Sequence, residues 1–218
     1  MHPVRFDAVY EIERNRLTTF FRVLVAIPWI IWIFIYAIGA FVVAFLAWFA
    51  LLFTKRYPEG MYRFVAGFVR TAVRTAAFLL LLTDRFPPFH GRPDPDYPVQ
   101  VDIAPRQQEY SRAKTFFKYI LSFPQQLIVQ GLAIVVQSAA YITWWRVLFT
   151  GKQSATMHDA LRVALAYSTR AQAFLLLLTD VHPRLLDLPP REPPPGAPSL
   201  PSPSQLPEGT AQVPQTTA

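Results

Sequence analysis

The stretch AFLLLLTD occupies residues 77–84 and occurs again, letter for letter, at residues 173–180, 96 positions later. The same shift of 96 aligns further residues: Phe20 with Phe116, Pro28 with Pro124, Phe53 with Phe149 and Pro87 with Pro183. Self-similarity at a fixed period indicates a repeated structural unit. The sequence therefore predicts one unit present twice, with the AFLLLLTD string closing the second helix of each copy.

The composition is typical of a membrane protein. Hydrophobic residues make up 52% of the chain and charged residues only 16%, whereas soluble domains carry about 25% charged residues. Between Phe20 and Phe53 the only charged residue is Arg22, and this run exceeds the roughly 20 residues that cross a bilayer. Buried helices of a soluble core are the alternative. Because the chain has no cysteine, disulfides and thiolate metal sites are excluded.

Each copy shows the same order of predicted elements. We expect an all-α integral membrane fold with four transmembrane helices in two tandem helical hairpins of parallel orientation, with amphipathic entry helices and short cytoplasmic β-strands. Alternating residues at 4–7 and 99–103 predict the strands, which could pair with each other. Pro28 and Pro124 are expected to break or begin a helix, because one helix starting at Phe20 would be about 51 Å long. The predicted spans are 29–53, 61–82, 125–149 and 157–178.

The chain is predicted to divide into three segments. Residues 1–93 form membrane repeat 1, residues 94–186 form membrane repeat 2, and residues 187–218 form a proline-rich cytoplasmic tail. The tail alternates proline with serine, glutamine and threonine. A segment of this composition cannot bury a core, so it is expected to be disordered.

The distribution of cations predicts the orientation in the membrane. If each two-helix unit returns the chain to its starting side, both termini and the central linker share one face. Twelve lysines and arginines fall on that face and four on the opposite loops, so the positive-inside rule places both termini in the cytoplasm. Contact with anionic lipid accounts for the net charge of +7. The phospholipid membrane is therefore an expected partner, and nucleic acid is not.

Arginines inside the second helix are the main candidates for a functional site. Arg56, Arg63, Arg70 and Arg74 follow one stripe of that helix, here called the arginine stripe. In the second copy, Arg170 repeats Arg74. A charge near the membrane midplane requires a partner, water or a lipid headgroup.

Two kinds of site fit this pattern. The first is a structural polar seam, in which the arginines bind amides on one stripe of the third predicted span, Gln126, Gln130 and Gln137. The second is an anion or phospholipid site. Gly67 on the arginine stripe would allow a neighbouring helix to approach closely. The helix could instead lie at the membrane surface and never cross, because the segment after Arg74, residues 75–83, is too short to span.

Catalytic motifs are missing from the sequence. The four histidines are scattered, and no HExxH, GxSxG or phosphate-cradling glycine loop occurs. The Thr-Asp pairs that end the repeated string, at Asp84 and Asp180, fit a helix-end signal better than acid–base chemistry. We therefore expect neither an enzyme nor a bound cofactor or metal.

The first copy resembles a known family. The segments RNRLTTFFRVLVAIP (14–28), LFTKRYPEGMYRF (52–64) and LLLLTDRFPPF (79–89) are similar to an uncharacterised integral-membrane family that is frequent in actinobacteria and catalogued only as a domain of unknown function. The second copy departs from the family pattern at residues 152–155 and 181–184, so it looks like a diverged domain. The resemblance implies the fold and a multi-pass location in the bacterial inner membrane, and it implies no activity.

Two functions follow as hypotheses. The first is a non-catalytic accessory or scaffolding subunit of a larger bacterial inner-membrane complex, with a membrane-protein partner or a second copy of itself. The alternative is a small transporter, or a phospholipid- or anion-binding membrane protein, that uses the arginine stripe in the second helix of each repeat.

Overall fold

A computed structural model describes residues 3–9, 16–107 and 109–182. Its elements, in chain order, are β1 (Val4–Ala8), α1 (Arg16–Thr54), α2 (Glu59–Leu79), β2 (Val99–Ile103), α3 (Arg112–Thr150) and α4 (Ala155–Leu175). The fold is mostly helical, with two long apolar helices and one small two-stranded sheet. The proline-rich tail predicted at residues 187–218 lies outside the described residues.

Each repeat forms a helical hairpin, in which α1 packs on α2 and α3 packs on α4. By length and composition, two helices among the described residues could cross a membrane, α1 and the segment Thr115–Thr150 of α3. The shorter helices α2 and α4, each of 21 residues, do not belong to that group. Two of the four predicted spans therefore coincide with helices of this kind.

Both long helices continue through their prolines. The sequence predicts an entry helix and a break at Pro28 and Pro124, but α1 and α3 are single helices of 39 residues each. The predicted separate entry helices are therefore wrong. A proline in a helix interior removes one hydrogen bond and favours a kink, so the continuity needs support from elsewhere.

Contacts on both sides of Pro28 provide this support. The Nη1 of Arg22 donates to the Thr83 carbonyl at 3.0 Å. The Nε1 of Trp29 donates to the Pro87 carbonyl at 2.6 Å. Because both acceptors belong to the short segment that follows α2, packing against that one segment keeps the two halves of α1 in line.

The two repeats are antiparallel in space. Trp48, near the end of α1, donates its Nε1 to the Thr115 carbonyl near the start of α3 at 3.0 Å. The equivalent Trp144, near the end of α3, donates to the Thr19 carbonyl near the start of α1 at 2.8 Å. The same contact is made twice around a pseudo-twofold axis, so the predicted parallel orientation of the repeats is wrong.

The path of the linker, defined as the chain between the end of α2 and the start of α3 on both sides of β2, explains the antiparallel arrangement. After α2 the chain runs back along that helix before α3 begins. Arg106 donates its Nη1 to the Tyr57 carbonyl at 3.1 Å, and the Tyr110 amide donates to the Lys55 carbonyl at 3.0 Å. The helix α3 therefore starts beside the end of α1, whereas the sequence places it beside the start.

The strands β1 and β2 pair with each other in an antiparallel sheet. Phe6 lies opposite Val101, and Arg5 lies opposite Asp102. Phe6 and Val101 are buried, whereas Arg5, Asp7 and Asp102 are exposed. Because successive side chains of a strand point to opposite faces, the sheet has an apolar inner face and a polar outer face.

Each strand packs on a helix of the other repeat, an arrangement we call the strand exchange. The strand β1 lies on α4, and β2 lies on α2. The Nε of Arg170 donates to the Val4 carbonyl at 3.3 Å, and the Tyr62 hydroxyl donates to the Ala104 carbonyl at 2.5 Å. The protein thus has three layers: the sheet on one side, α2 and α4 in the middle, and α1 and α3 on the other side.

The repeated string ends α2 and α4 with the same backbone turn. The Leu82 amide donates to the Ala77 carbonyl at 2.9 Å, and the Leu81 amide donates to the Phe78 carbonyl at 3.2 Å, which is the Schellman pattern. Leu81 has a φ of +62° and Leu177 repeats it at +65°, a conformation that costs about 1–2 kcal/mol outside glycine. Burial of a leucine side chain is worth about 1.5–3 kcal/mol and offsets this cost, since Leu81 is only 1% exposed.

A close contact between Gly67 and Gly91 holds the linker against α2. A Cβ atom added at Gly91 would overlap the Gly67 backbone, and one added at Gly67 would lie 2.6 Å from the Tyr36 hydroxyl oxygen. Gly91 therefore has no room for a side chain, whereas a side chain at Gly67 would require the Tyr36 hydroxyl to move. The sequence predicts a close approach of a helix at Gly67, and the neighbours found there are the linker and Tyr36 of α1.

Replacing Gly91 by alanine is expected to lower the free energy of unfolding by about 1–3 kcal/mol, because the added methyl group forces the linker away from α2. Thermal unfolding of the purified protein in detergent, followed by circular dichroism, measures this change. Gly131→Ala on α3 is the matched control, because nothing lies within 4 Å of an added Cβ there. That variant should be as stable as the parent or more stable by about 0.5–1 kcal/mol. Equal melting temperatures for the two variants would contradict the close contact.

Candidate functional site

A buried cation closes the first helical hairpin. Arg22 of α1 is 1% exposed, and its guanidinium group reaches the end of α2. Its Nη1 donates to the Phe78 carbonyl and, at 3.0 Å, to the Thr83 carbonyl. Its Nη2 pairs with the Asp84 carboxylate, and its guanidinium carbon lies 4.5 Å from the centre of the Phe78 ring. We call Arg22, Phe78, Thr83 and Asp84 the repeat-end clamp.

The second repeat contains the same clamp with a lysine. Lys118 of α3 is 1% exposed and lies 96 positions after the arginine of the first clamp. Its Nζ donates to the Thr179 carbonyl at 2.6 Å and pairs with Asp180 at 3.1 Å. The same nitrogen lies 4.6 Å from the centre of the Phe174 ring. An arginine in one repeat and a lysine in the other therefore make equivalent contacts.

The acceptors of the clamp are groups that need a donor. The Thr83 and Thr179 carbonyls follow the helix ends and accept from Arg22 and Lys118, because a buried carbonyl requires a donor. A cation near a helix C-terminus is also favoured by the helix dipole. Asp84 and Asp180, the predicted helix-end residues, supply the countercharge of this cation. Losing one partner of a buried ion pair costs about 3–5 kcal/mol. The clamp is thus a structural site.

The clamp cations are the residues that sequence reasoning missed. Arg22 and Lys118 interrupt otherwise apolar helices at equivalent positions. The repeat of a positive charge at one place in both copies was the signal that could have revealed them. The predicted amphipathic entry helices include both residues, and this prediction does not indicate that their partners are buried.

The arginine stripe of α2 faces the linker and the sheet. Arg74, 1% exposed, donates its Nη1 to the Arg92 carbonyl at 3.0 Å. Its guanidinium carbon lies 5.4 Å from the centre of the Tyr97 ring. Burial raises the pKa of Tyr97 above its ordinary value, although the nearby Arg74 opposes this shift, so the phenol stays neutral at neutral pH. The linker therefore holds the most deeply placed arginine of the stripe.

Arg70 and Arg63 lie nearer the start of α2. Arg70 donates its Nε to the Val101 carbonyl of β2 and its Nη1 to the Gly91 carbonyl, both at 3.3 Å. Arg63 is exposed and pairs with Glu59, one turn away, at 2.6 Å. The stripe thus leads from solvent at its first residues to the protein interior.

The predicted polar seam between arginines and glutamines is not formed. Gln130 and Gln137 are exposed on α3, and Gln126 is half-buried. Arg170 of α4 donates instead to the Val4 carbonyl at 3.3 Å. The arginines bind backbone carbonyls because the strands and the linker, and not α3, cover the polar faces of α2 and α4.

A cleft of about 580 Å³ lies between the first half of α2 and the linker. Its lining includes one carboxylate and four arginines: Glu59, Arg63, Arg70, Arg92 and Arg106. The excess of guanidinium groups gives this space, here called the arginine cleft, a net positive charge. It combines two residues of the predicted arginine stripe with two arginines of the linker.

The second repeat does not carry this set of arginines on its short helix. Asp159 and Ala166 of α4 occupy the positions of Arg63 and Arg70. Arg162 of α4 lies 3.3 Å from a carboxylate of β1, so it belongs to the contact between α4 and the sheet. Among the described residues, α4 therefore lacks the two arginines that α2 contributes to the arginine cleft.

Replacing Arg22 by methionine is expected to lower the free energy of unfolding by about 3–5 kcal/mol, because Asp84 and the helix-end carbonyls lose their donor. Arg22→Lys should cost only about 1 kcal/mol, since Lys118 makes the equivalent hydrogen bond and ion pair with one nitrogen. Denaturant unfolding in detergent, combined with Asp84→Asn in a double-mutant cycle, should give a coupling energy of about 0.5–3 kcal/mol. Equal losses for Arg22→Lys and Arg22→Met would refute the clamp.

The family model described as "Domain of unknown function (DUF4389)" matches residues 16–90 and 112–185. Each matched segment begins at the first residue of a long helix and contains one repeat-end clamp, whereas both strands lie outside the matches. No curated protein and no solved structure matches the chain significantly. The matches confirm the resemblance to a domain of unknown function present twice. Because they cover more than half of the chain, the protein belongs to the DUF4389 family and contains its domain in two tandem copies.

Proposed function

We propose that the protein is a non-catalytic accessory or scaffolding subunit that is embedded in the bacterial inner membrane through α1 and α3. The observation that carries this proposal is the exposed apolar surface of the two helices. Only 17% of the most apolar window of α1, and 11% of that of α3, is buried inside the protein. The core helix of a soluble protein is mostly buried, and an exposed apolar surface of this extent favours contact with lipid or a partner.

The two outer layers of the protein differ in polarity. Exposed large apolar side chains lie along the helix layer, among them Phe34, Ile38 and Phe45 of α1 and Ile134 and Ile142 of α3. The sheet on the opposite side exposes charged side chains: Arg5, Asp7 and Asp102. One side of the molecule thus suits hydrocarbon, and the other suits water.

In our proposal, α1 and α3 lie in the plane of the membrane. If α2 and α4 crossed the bilayer, the sheet packed on them would lie within the hydrocarbon, where each charge costs at least about 2.5 kcal/mol. A helix of 39 residues is also about 58 Å long, whereas the hydrocarbon core is about 30 Å thick. A helix in the interface plane has no such limit. This orientation corresponds to the surface-lying alternative for α2.

The exposed cations at the helix ends fit one membrane surface. Arg16, Arg146 and Lys152 lie at one end of the α1–α3 pair, and Lys55, Arg56 and Arg112 lie at the other. Membrane-crossing helices carry most of their flanking cations on one side of the bilayer. Among the exposed cations that the structure describes, each end thus has three, which favours an arrangement in which both ends meet the same anionic leaflet.

An accessory role follows from this orientation. The sheet and the linker face the cytoplasm, and β1 is therefore cytoplasmic. The body offers an apolar face to lipid and to a membrane-protein partner or a second copy, but it provides no path across the bilayer for transport. Binding of an anion or a phospholipid headgroup is the second candidate function, and the arginine cleft favours it.

Three single-cysteine variants test the orientation, because the chain has no natural cysteine. Lys55→Cys and Lys152→Cys place thiols at opposite ends of the α1–α3 pair, and Asp102→Cys places one on the outer face of the sheet. Sealed inside-out and right-side-out vesicles are treated with a membrane-impermeant maleimide. We expect all three thiols to react only from the cytoplasmic side, because all three lie on the water side of one leaflet.

Two other labelling patterns would contradict this orientation. Reaction of Lys55→Cys and Lys152→Cys from one side and of Asp102→Cys from the other would support four spans in parallel repeats. Reaction of Lys55→Cys and Lys152→Cys from opposite sides would support α1 and α3 as two antiparallel spans. Ile38→Cys is the control for lipid contact and should react only after detergent is added.

The scaffolding role is tested by isolating the tagged protein from its own membranes in mild detergent, followed by mass spectrometry of the intact complex. We expect a stoichiometric membrane-protein partner to be retained, because an exposed apolar surface of this extent favours contact with a partner. Isolation as a lone protein, or as a homo-oligomer that carries bound phospholipid, would contradict the accessory role and favour the anion- or lipid-binding function.

A further inference from the structure

We propose that the arginine cleft binds a phosphate-bearing anion, either the headgroup of an acidic phospholipid or a soluble phosphate compound. The inference rests on the cleft itself and does not depend on how the helices lie in the membrane. The volume of about 580 Å³ is within the range of small-molecule sites, about 300–1,000 Å³. Guanidinium groups bind phosphate through two parallel hydrogen bonds, which a point charge such as lysine cannot do.

Two of the four arginines are held in place before a ligand arrives. Arg70 uses its Nε and Nη1 on the Val101 and Gly91 carbonyls, at 3.3 Å each. Arg106 uses its Nη1 on the Tyr57 carbonyl at 3.1 Å. An arginine has five N–H donors, so both keep donors for a ligand. Their positions are thus fixed by the fold, which lowers the entropic cost of binding.

The walls of the cleft are also fixed. The Tyr62 hydroxyl of α2 donates to the Ala104 carbonyl of the linker at 2.5 Å. On the other side, Gly91 lies so close to α2 that a Cβ added to it would overlap the Gly67 backbone. The distance between α2 and the linker is therefore set at two points, and the opening between them is preserved without a ligand.

The other two arginines can turn to a ligand. Arg63 pairs with Glu59, but their side chains are 74% and 58% exposed, and such a surface pair contributes little free energy. A phosphate group can therefore replace the Glu59 carboxylate. The Arg92 side chain is exposed and has no hydrogen bond to the part of the chain that the structure describes. Both guanidinium groups are available at the mouth of the cleft.

The fold does not require these arginines on the short helix. In α4 the positions of Arg63 and Arg70 are taken by Asp159 and Ala166, and α4 forms the same 21-residue helix with the same C-terminal turn. A purely structural role shared by both repeats therefore does not explain the cluster. The presence of Arg63 and Arg70 on α2 and not on α4 therefore favours a ligand.

The test uses the purified full-length protein in nanodiscs and the variant pair Arg63→Gln/Arg106→Gln. The control pair Arg5→Gln/Arg85→Gln removes the same two charges from exposed positions, on the sheet and after α2, that do not line the cleft. Titration calorimetry with inorganic pyrophosphate in phosphatidylcholine nanodiscs measures the soluble source. Native mass spectrometry after extraction from nanodiscs of equal parts phosphatidylcholine and phosphatidylglycerol measures retained acidic lipid.

We expect the cleft pair to lower pyrophosphate affinity or retained phosphatidylglycerol about tenfold or more, because two charge-assisted contacts are lost. The control pair should stay within about twofold of the parent. A loss of pyrophosphate affinity identifies a soluble phosphate compound as the ligand. A loss of retained phosphatidylglycerol alone identifies a lipid headgroup. Equal effects of the two pairs, or no binding of either probe by the parent, overturn the proposal.

A folding defect is controlled with a single exposed substitution. Circular dichroism first establishes that each pair keeps the helix content of the parent. If the cleft pair does not, Arg92→Gln replaces it, because this side chain is exposed and its loss leaves the fold intact. Unchanged binding by a folded Arg92→Gln variant would then overturn the proposal.

Discussion

Each helical hairpin depends on one buried cation at the end of its shorter helix. The buried turn after each short helix leaves a carbonyl group, at Thr83 or Thr179, that neither lipid nor apolar core side chains can satisfy. Arg22 and Lys118 supply the missing donors in the two repeats. By joining the long helix to the end of the short one, they also fix the place from which the linker starts. The linker then sets where α3 begins and, with it, the antiparallel arrangement of the repeats.

Much of the fold could be predicted from local spacing. The repeat period, the hairpins and the alternation of the strands are all visible in the sequence because they depend on residues close in the chain. The orientation of the repeats could not be predicted in this way, because counting cations assumes that every hairpin crosses the membrane. The contact that places α3, between the Tyr110 amide and the Lys55 carbonyl, involves only backbone atoms. Such a contact depends on no particular side chain, so it cannot be predicted from the residue types in the sequence.

The candidate site shows the same limit. The spacing of the arginines shows that they share one face of α2, but a shared face does not say which element covers it. Gln126, Gln130 and Gln137 also share a face, yet Gln130 and Gln137 are exposed on α3. Backbone carbonyls accept the hydrogen bonds of Arg74 and Arg170 instead, and every residue has a carbonyl. The arginine cleft exists only because the linker folds back along α2.

Because of the strand exchange, neither repeat covers its own apolar surfaces. A chain with a single copy would leave the apolar face of its strand and the facing helix uncovered, and two such chains could cover each other only as a symmetric pair. The tandem chain is in effect a covalent dimer, in which the second half is always present at high effective concentration. Fusion also allows the two halves to differ in sequence. A symmetric dimer must build two equal clefts, whereas the fused chain keeps Arg63 and Arg70 on α2 and has Asp159 and Ala166 at the equivalent positions of α4.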